Sequence, residues 1–346
     1  MVDEYLRYRP LKVRGRRVQV VDLFCGGGGF SEGALNAGAT VVLSIDAWQP
    51  AVITHQLNHP QTPCLKFALG DSIPEAAALI RLYLKAGWHF HLHASPPCQA
   101  LSNASNAKPE DGLGLVDWTL ALIEYMKPDS WSLENVLPLG KYLKQREVPF
   151  EKLNAAHFGV PQLRKRVFAG EGWVAKESHS NEEFVSVLDA LPHLNGELNV
   201  VNPGVIEEFR LESMGANAKR SRDSDLGEPS RTICGSGNQV GARIFKHTLN
   251  MVGAASSLSR RAVSSDVNLD APSKTVTNQT PILRAIGETK AVRVRSLTLE
   301  ETSTLQGWPG MKIPDTPHVI KKKEAWQIIG NMVCPPVAKA IMEGLK

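Results

Sequence analysis

The run "RVQVVDLF" (Arg17–Phe24) is apolar and β-branched, and it ends one residue before four consecutive glycines, Gly26–Gly29. No other stretch constrains the fold as much. Eight residues of this texture suit a strand buried on both faces. "GGGGFSEGALNAG" then reads as a tight loop opening a helix. The alternation continues downstream. "TVVLSID" (Thr40–Asp46), "WHFHLHAS" and "SWSLENV" read as further strands, with "PAVITHQLNHP" and "DWTLALIEYMK" as helices among them. Strands alternating with helices imply an α/β fold whose parallel sheet is covered on both faces.

Beyond about Gly170 the texture changes to Ser, Asn, Gly and Pro with short strand-like pieces such as "EFVSVLDAL", "SRTICGS" and "SKTVTNQ". We read 1–169 as the first part of one domain, 170–292 as a smaller irregular domain, and 293–346 as a return to the first. With 346 residues and 42% hydrophobic composition the chain can bury cores for two domains. "EPSRTICGSGNQ" and "APSKTVTNQT" share a Pro-Ser-basic-Thr pattern that suggests two similar turn-plus-strand units. Order returns in "RSLTLEETSTLQGWP", where Thr298 is a candidate helix N-cap with Glu301 three residues on. The closing segment reads as helices split by Pro335 and Pro336.

A net charge of +4 permits a polyanionic partner without demanding one. "YLRYRPLKVRGRR" near the N-terminus is a solvated basic tail or an arm that touches phosphate. The five cysteines include no CxxC pair, which argues against a disulfide framework or a zinc finger and fits a reducing compartment. No apolar run reaches the ~20 residues that span a membrane, and the first residues lack the apolar stretch of a secretory signal.

A glycine turn between strand and helix lets backbone N–H groups approach a ligand. The dinucleotide fingerprint fails here, because its third glycine position is Ser31 in one register and Glu32 in the other. Asp46 ends the next strand about 20 residues on, where a carboxylate binds ribose hydroxyls. Asp71 follows a further loop and suits an adenine amine. This set fits an adenosine ligand without phosphates, such as S-adenosylmethionine. "SPPCQALS" puts Cys98 on a proline-stiffened turn at the C-terminal end of a strand. Glu134 and Asn135 end a neighbouring strand. Gln162, Arg164 and Arg166 alternate in "PQLRKRVF", so on an extended segment they share a face.

Taken in order, "DLFCGGGGFSEG", "SPPCQALS", "ENV", "QLRKR", "RSLTLEETSTLQGWP" and "IGNMVCPPVA" resemble the motifs of the DNA (cytosine-5)-methyltransferase family. The resemblance covers about the first 170 and last 54 residues. It implies a Rossmann-like S-adenosylmethionine-dependent methyltransferase sheet with a target-recognition domain in 170–292. It implies Cys98 as nucleophile at cytosine C6, Glu134 on the N3/N4 edge, Arg166 at O2, and Arg164 holding the Cys98 loop or a phosphate. Phe24, Gly26, Gly28, Asp46, Asp71, Pro97, Leu115, Asn331 and Val333 would bind the cofactor, and Gln99 and Ser102 would touch DNA around a flipped base. Double-stranded DNA is the implied partner, with no metal and no membrane. A monomer acting in the cytoplasm of a prokaryote or phage-infected cell, near the nucleoid, is expected. A cognate restriction endonuclease is not readable from the chain. The runner-up is the tRNA-methylating branch of the same fold, whose Cys-Phe-Thr signature is missing here.

The chain departs from that pattern in three places. Asp46 stands where glutamate is commoner, Ala47 separates it from Trp48, and Leu101 replaces an aromatic. His89, His91 and His93 alternate as zinc ligands would, but on this strand they read as packing against a helix or the sheet rim. Cys25, Cys64, Cys234 and Cys334 read as packing thiols, since nothing beside them in sequence would lower their pKa.

Overall fold

The computed structural model describes residues 9–97, 113–180, 183–194 and 297–346, together with the backbone of six strands between 210 and 296. Cys98, Gln99, Ser102 and "APSKTVTNQT" up to its last threonine lie outside the described residues.

The first sheet contains β1 (Lys12–Val13), β2 (Arg16–Leu23), β3 (Thr40–Asp46), β4 (Cys64–Lys66), β5 (His89–Ala94), β6 (Ser130–Asn135), β7 (Phe150–Asn154) and β9 (Lys165–Glu171), with β8 (Gln162–Leu163) outside it. Its order is β4-β3-β2-β5-β6-β9-β7, with β1 an antiparallel addition to β2. The strands from β4 to β6 are parallel, and β9 runs antiparallel to both β6 and β7. The connections leave β2 in one direction and β5 in the other. The C-terminal ends of these two neighbours therefore form the crevice where open α/β sheets bind ligands.

Strand alternation sends side chains to two cores. Val21, Leu23, Leu92 and Leu133 face α3 (Ile73–Arg81), α4 (Gly114–Met126) and α5 (Leu139–Gln145). Val18, Val20, Val41 and Phe168 face α1 (Gly29–Asn36) and the chain's last helix, α9 (Pro335–Glu343). Burying each such aliphatic side chain contributes roughly 1.5–3 kcal/mol before entropy is charged. This explains why the strands read as continuous apolar runs rather than polar alternations.

The three histidines of β5 are the exception in that run; only His91 has both ring nitrogens hydrogen-bonded, while His89 Nδ1 and His93 Nε2 are buried without a partner. His91 hydrogen-bonds with the Ser130 and Ser132 hydroxyls of β6, at 2.8 and 3.0 Å. His93 bonds with Ser132 at 2.8 Å and His89 with Ser130 at 2.8 Å. Phe30 of α1 stacks flat on His93, with centroids 3.5 Å apart. Burial drives the pKa of His91 down to about 3, so it stays neutral. Their rings pack against the β6 serines and Phe30.

Asp22 of β2 shares that layer. It is fully buried, and only its Oδ2 has a partner, the Ser31 hydroxyl at 2.7 Å. Burial raises its pKa to about 7. A carboxyl whose pKa rises on folding stabilises below its ordinary range, near pH 4, and loses that contribution as pH climbs through about 7. Over that window the loss is on the order of 4 kcal/mol. Asp22→Asn is therefore expected to flatten the fall in melting temperature between pH 5 and pH 8, measured by calorimetry.

Between 210 and 296, β10 (Arg210–Ser213) pairs antiparallel with β11 (Arg222–Asp225) and β14 (Pro281–Leu283). β13 (Arg243–His247) pairs with β15 (Ala291–Ser296). β12 (Ser230–Arg231), from the first Pro-Ser-basic-Thr unit, pairs parallel with β8. One strand-like reading is corrected. "EFVSVLDAL" holds α6 (Val187–Ala190), because Ser186 and Asp189 form a reciprocal capping box that starts a helix.

The last 50 residues return to the first sheet. α7 (Leu299–Leu305) begins at the expected cap, with Thr298 accepting from Glu301 N at 3.1 Å. α8 (Lys322–Asn331) follows, and Pro335 and Pro336 open α9 rather than break it. α9 packs so closely on α1 that a Cβ on Gly33 would sit 2.3 Å from Pro335 O.

Candidate active site

The glycine loop leaves β2 with Phe24 at φ 55° and Gly26 at φ 53°, and Gly28 caps α1 at φ 95°. Left-handed backbone of this kind is natural for glycine and costs Phe24 about 1–2 kcal/mol. Asp46 fixes the turn. Its Oδ2 accepts from Gly26 N at 2.9 Å and its Oδ1 from Trp48 N at 2.8 Å. The glycines differ in what surrounds them. A Cβ on Gly28 would meet His59 and His55 at 2.8–2.9 Å, and one on Gly29 would meet Val333 O at 2.1 Å. A Cβ on Gly26 meets nothing within 4 Å. Gly26 thus lines open space and the others line packing. Gly29→Ala is expected to destabilise the fold outright. Gly26→Ala should cost only about 1–2 kcal/mol of stability, yet weaken S-adenosylmethionine binding in calorimetric titration by at least about tenfold, or 1.4 kcal/mol.

The far side of this opening is apolar. The Phe24 ring meets Trp118 of α4 edge-on, with centroids 6.5 Å apart. Trp118 Nε1 donates to Asp71 O at 2.9 Å, and Leu115 abuts Gly70. Phe24, Asp71 and Leu115, far apart in sequence, are neighbours. Trp118 was missed, because a tryptophan in an apolar helix carries no distinguishing signal. Val333 touches the loop through its carbonyl, whereas Asn331 is exposed at the end of α8. Trp48 packs against Trp308, Met311 and Ile328, so its ring belongs to a core cluster. A backbone-anchored carboxylate, a Cβ-free opening and an apolar wall suit an adenosine ligand. Asp46 keeps acceptor capacity, because each carboxylate oxygen has two lone-pair sites.

The loop carrying Cys98 departs next to this opening. Ser95 N donates to Leu23 O at 3.1 Å, and Ser95 Oγ donates to Phe24 O at 3.2 Å. Asn135 Nδ2 donates to Pro96 O at 3.1 Å. The chain is thus pinned to β2 and β6 up to two residues before Cys98. Asn135 was named in the sequence as a strand-end residue, but its grip on Pro96 was not legible.

Beside it, Glu134 faces Arg166, with Nε 3.2 Å from Oε1. Burial raises the Glu134 pKa, and the guanidiniums of Arg166 and then Arg164 oppose the rise. Arg164 and Gln162 also reach the C-terminal segment. Arg164 Nη2 donates to Met332 O at 3.2 Å, and Gln162 Nε2 donates to Leu305 O at 3.3 Å. The alternating trio thus links the carboxylate, through Arg166, to the C-terminal return. Cys334 lies in the same small cleft as Glu134, Arg164 and Arg166. Burial pushes its thiol up to about 11, which makes it inert packing.

Comparison with known proteins gives consistent matches. A profile of the C-5 cytosine-specific DNA methylase family matches residues 18–346. The Type II methyltransferase M1.HphI of Haemophilus parahaemolyticus is 27% identical over 94% of this chain and 86% of its own length. The Type II methyltransferase M.AgeI of Thalassovita gelatinovora is 28% identical over 44% of this chain, and the match spans 38% of that relative. Among solved structures, a putative DNA modification methyltransferase encoded within an E. coli prophage shares the fold. Its TM-score is 0.53 at 19% identity, over 94% of this chain and 98% of that one.

Proposed function

The chain belongs to the C-5 cytosine-specific DNA methylase family, and from this premise we propose that it methylates C5 of a cytosine within a short specific sequence of duplex DNA. The observation that carries the reading is the buried Glu134–Arg166 pair beside a strand end that leads, pinned by Ser95 and Asn135, straight to Cys98. Cytosine C5 is a poor nucleophile until something adds at C6. In the proposed route the Cys98 thiolate bonds to C6. Glu134, whose raised pKa suits it to carry a proton, protonates or hydrogen-bonds N3 and makes C6 electrophilic. Arg166 holds Glu134 and contacts O2, and Arg164 fixes the segment against Met332. S-adenosylmethionine would be held at Phe24, Gly26, Gly28, Asp46, Asp71, Pro97, Leu115, Asn331 and Val333, and would supply an electrophilic methyl group, its S–CH3 bond breaking to leave S-adenosylhomocysteine. C5 takes that methyl, loses its proton to a base, and the Cys98–C6 bond breaks to release thiolate and product.

The target lies inside a duplex, so the base has to leave the stack, with Gln99 and Ser102 on the loop that would meet the DNA. We assign recognition to 170–292, where "NAKRSRDSD" and "GSGNQVGARIFKH" supply groups for base edges. The catalytic part is then 1–169 with 293–346. Both curated relatives named above are Type II methyltransferases by name, which supports a role in restriction-modification. Among the described residues no helix is long and apolar enough to cross a membrane. A transfer assay with labelled methyl donor should label duplex DNA and leave tRNA unlabelled. Labelling of tRNA instead would establish the runner-up, and labelling of neither would overturn the assignment.

A further inference from the structure

Next to the glycine loop, three potential ligands converge that the proposed reaction does not use. Cys25 follows β2 just before the glycines, His55 sits on α2 (Gln49–Asn58), and Cys64 opens β4. Their ligand atoms all lie within 4.8 Å of one another, and all three residues are buried. The two sulfurs are 3.8 Å apart. Two thiolates each ~2.3 Å from a tetrahedral zinc ion stand about 3.8 Å apart. That separation alone would also suit two thiols in contact, and Cys25 Sγ has a second weak contact at 3.7 Å, with Gly26 O.

His55 decides between the two. Its Nδ1 is buried and has no hydrogen-bond partner, while its Nε2 lies 3.1 Å from Ser31 Oγ. The residue itself is 0% exposed. A buried ring nitrogen left unsatisfied costs about 1–3 kcal/mol, a cost that a metal ion bound at Nδ1 between the two thiols would relieve. Ser31 in turn donates to Asp22 Oδ2 at 2.7 Å. This chain, ring nitrogen to hydroxyl to carboxylate, is the outer-shell arrangement that fixes a ligating histidine with its other nitrogen free for metal.

We propose that Cys25, His55 and Cys64 form a three-ligand site for a divalent transition-metal ion of the zinc class, with its fourth tetrahedral position left to a non-protein donor such as water, tying the glycine loop to α2 and β4. Soft thiolates with an imidazole select such an ion over magnesium or calcium. Binding displaces one proton from each thiol, and two thiolates with a dication leave the buried site neutral. No electron transfer is involved. The spacing is unlike a CxxC motif, since Cys25 and Cys64 are 39 residues apart, which is why the sequence did not suggest a site.

The test is metal content and spectroscopy on the full chain. Protein produced in zinc-supplemented medium should carry about one zinc per chain. Refolding with Co2+ should give thiolate-to-cobalt charge-transfer absorption. Cys64→Ser and His55→Gln should each lower metal content at least about tenfold, and Cys98→Ser should leave it unchanged. In wild type, peptide mapping after alkylation should find Cys25 and Cys64 protected until a chelator is added, a readout that does not depend on any variant folding. Wild-type protein without zinc or cobalt uptake would overturn the proposal. So would equal alkylation with and without chelator, or a Cys25–Cys64 disulfide in the isolated chain. None of these outcomes depends on whether DNA is the substrate.

Discussion

Cys98→Ser is expected to lower methyl transfer to duplex DNA by about 10³-fold or more, while S-adenosylmethionine still binds. A hydroxyl at this position is a far weaker nucleophile than a thiolate, so C6 stays unsubstituted and C5 stays unreactive. The cofactor residues would be untouched, because Gly26, Asp46, Phe24 and Trp118 are held by contacts of their own. The same thiol should trap DNA that carries 5-fluorocytosine at the target. Fluorine blocks the loss of H+ from C5, so the Cys98–C6 bond cannot be broken. A covalent complex on denaturing gels, absent in the variant, would tie the chemistry to this sulfur. Undiminished transfer by Cys98→Ser would sink the mechanism.

The second large effect concerns Glu134 and Arg166. Glu134→Gln keeps the shape and a hydrogen-bonding edge but cannot supply a proton, so kcat is expected to fall about 10²–10³-fold. Arg166→Ala attacks the same pair from the other side and should cost stability as well. The two side chains are only 10% and 13% exposed. Removing one partner of a buried pair typically costs about 3–5 kcal/mol. The sign with pH follows from burial. Glu134 already has a raised pKa, and losing Arg166 raises it further. Its neutral form is favoured in the folded state, so stability is retained below the ordinary carboxylate range and lost as pH rises through the folded value. Denaturant titrations of Arg166→Ala should therefore show the larger deficit at pH 8 and the smaller at pH 5. A deficit independent of pH would mean that the pair is not what matters there.

Much of the site was legible because its parts end strands. The apolar runs located β2, β3, β5 and β6, and an open parallel sheet puts whatever follows those strands at one edge. That is how Phe24, Asp46 and Glu134 could be grouped without coordinates, and why Cys98, outside the described residues, is expected beside them. What was illegible depended on partners from elsewhere. The alternation of Gln162, Arg164 and Arg166 predicted a shared face, but not that Gln162 and Arg164 would bind carbonyls of Leu305 and Met332. The histidines of β5 were read as packing groups, yet the serine ladder on β6 and the covering Phe30 were out of reach. "EFVSVLDAL" was misassigned although its Ser186-x-x-Asp189 signature was present, because β-branched texture outweighed a local cap. The buried trio Cys25, His55 and Cys64 left no trace in spacing, since three elements converge only after the sheet has formed.

The grip of Arg164 on Met332 spans 168 residues, and that of Asn58 on Lys312 spans 254. Contacts this distant in sequence are paid for late, after loop closure has consumed its entropy. The glycine loop packs Gly29 against Val333, and the Gln162–Arg164 segment bonds to Leu305 and Met332, so these contacts wait for the last part of the chain. During synthesis the sheet's strands therefore leave the ribosome before the residues that close this part of the molecule exist.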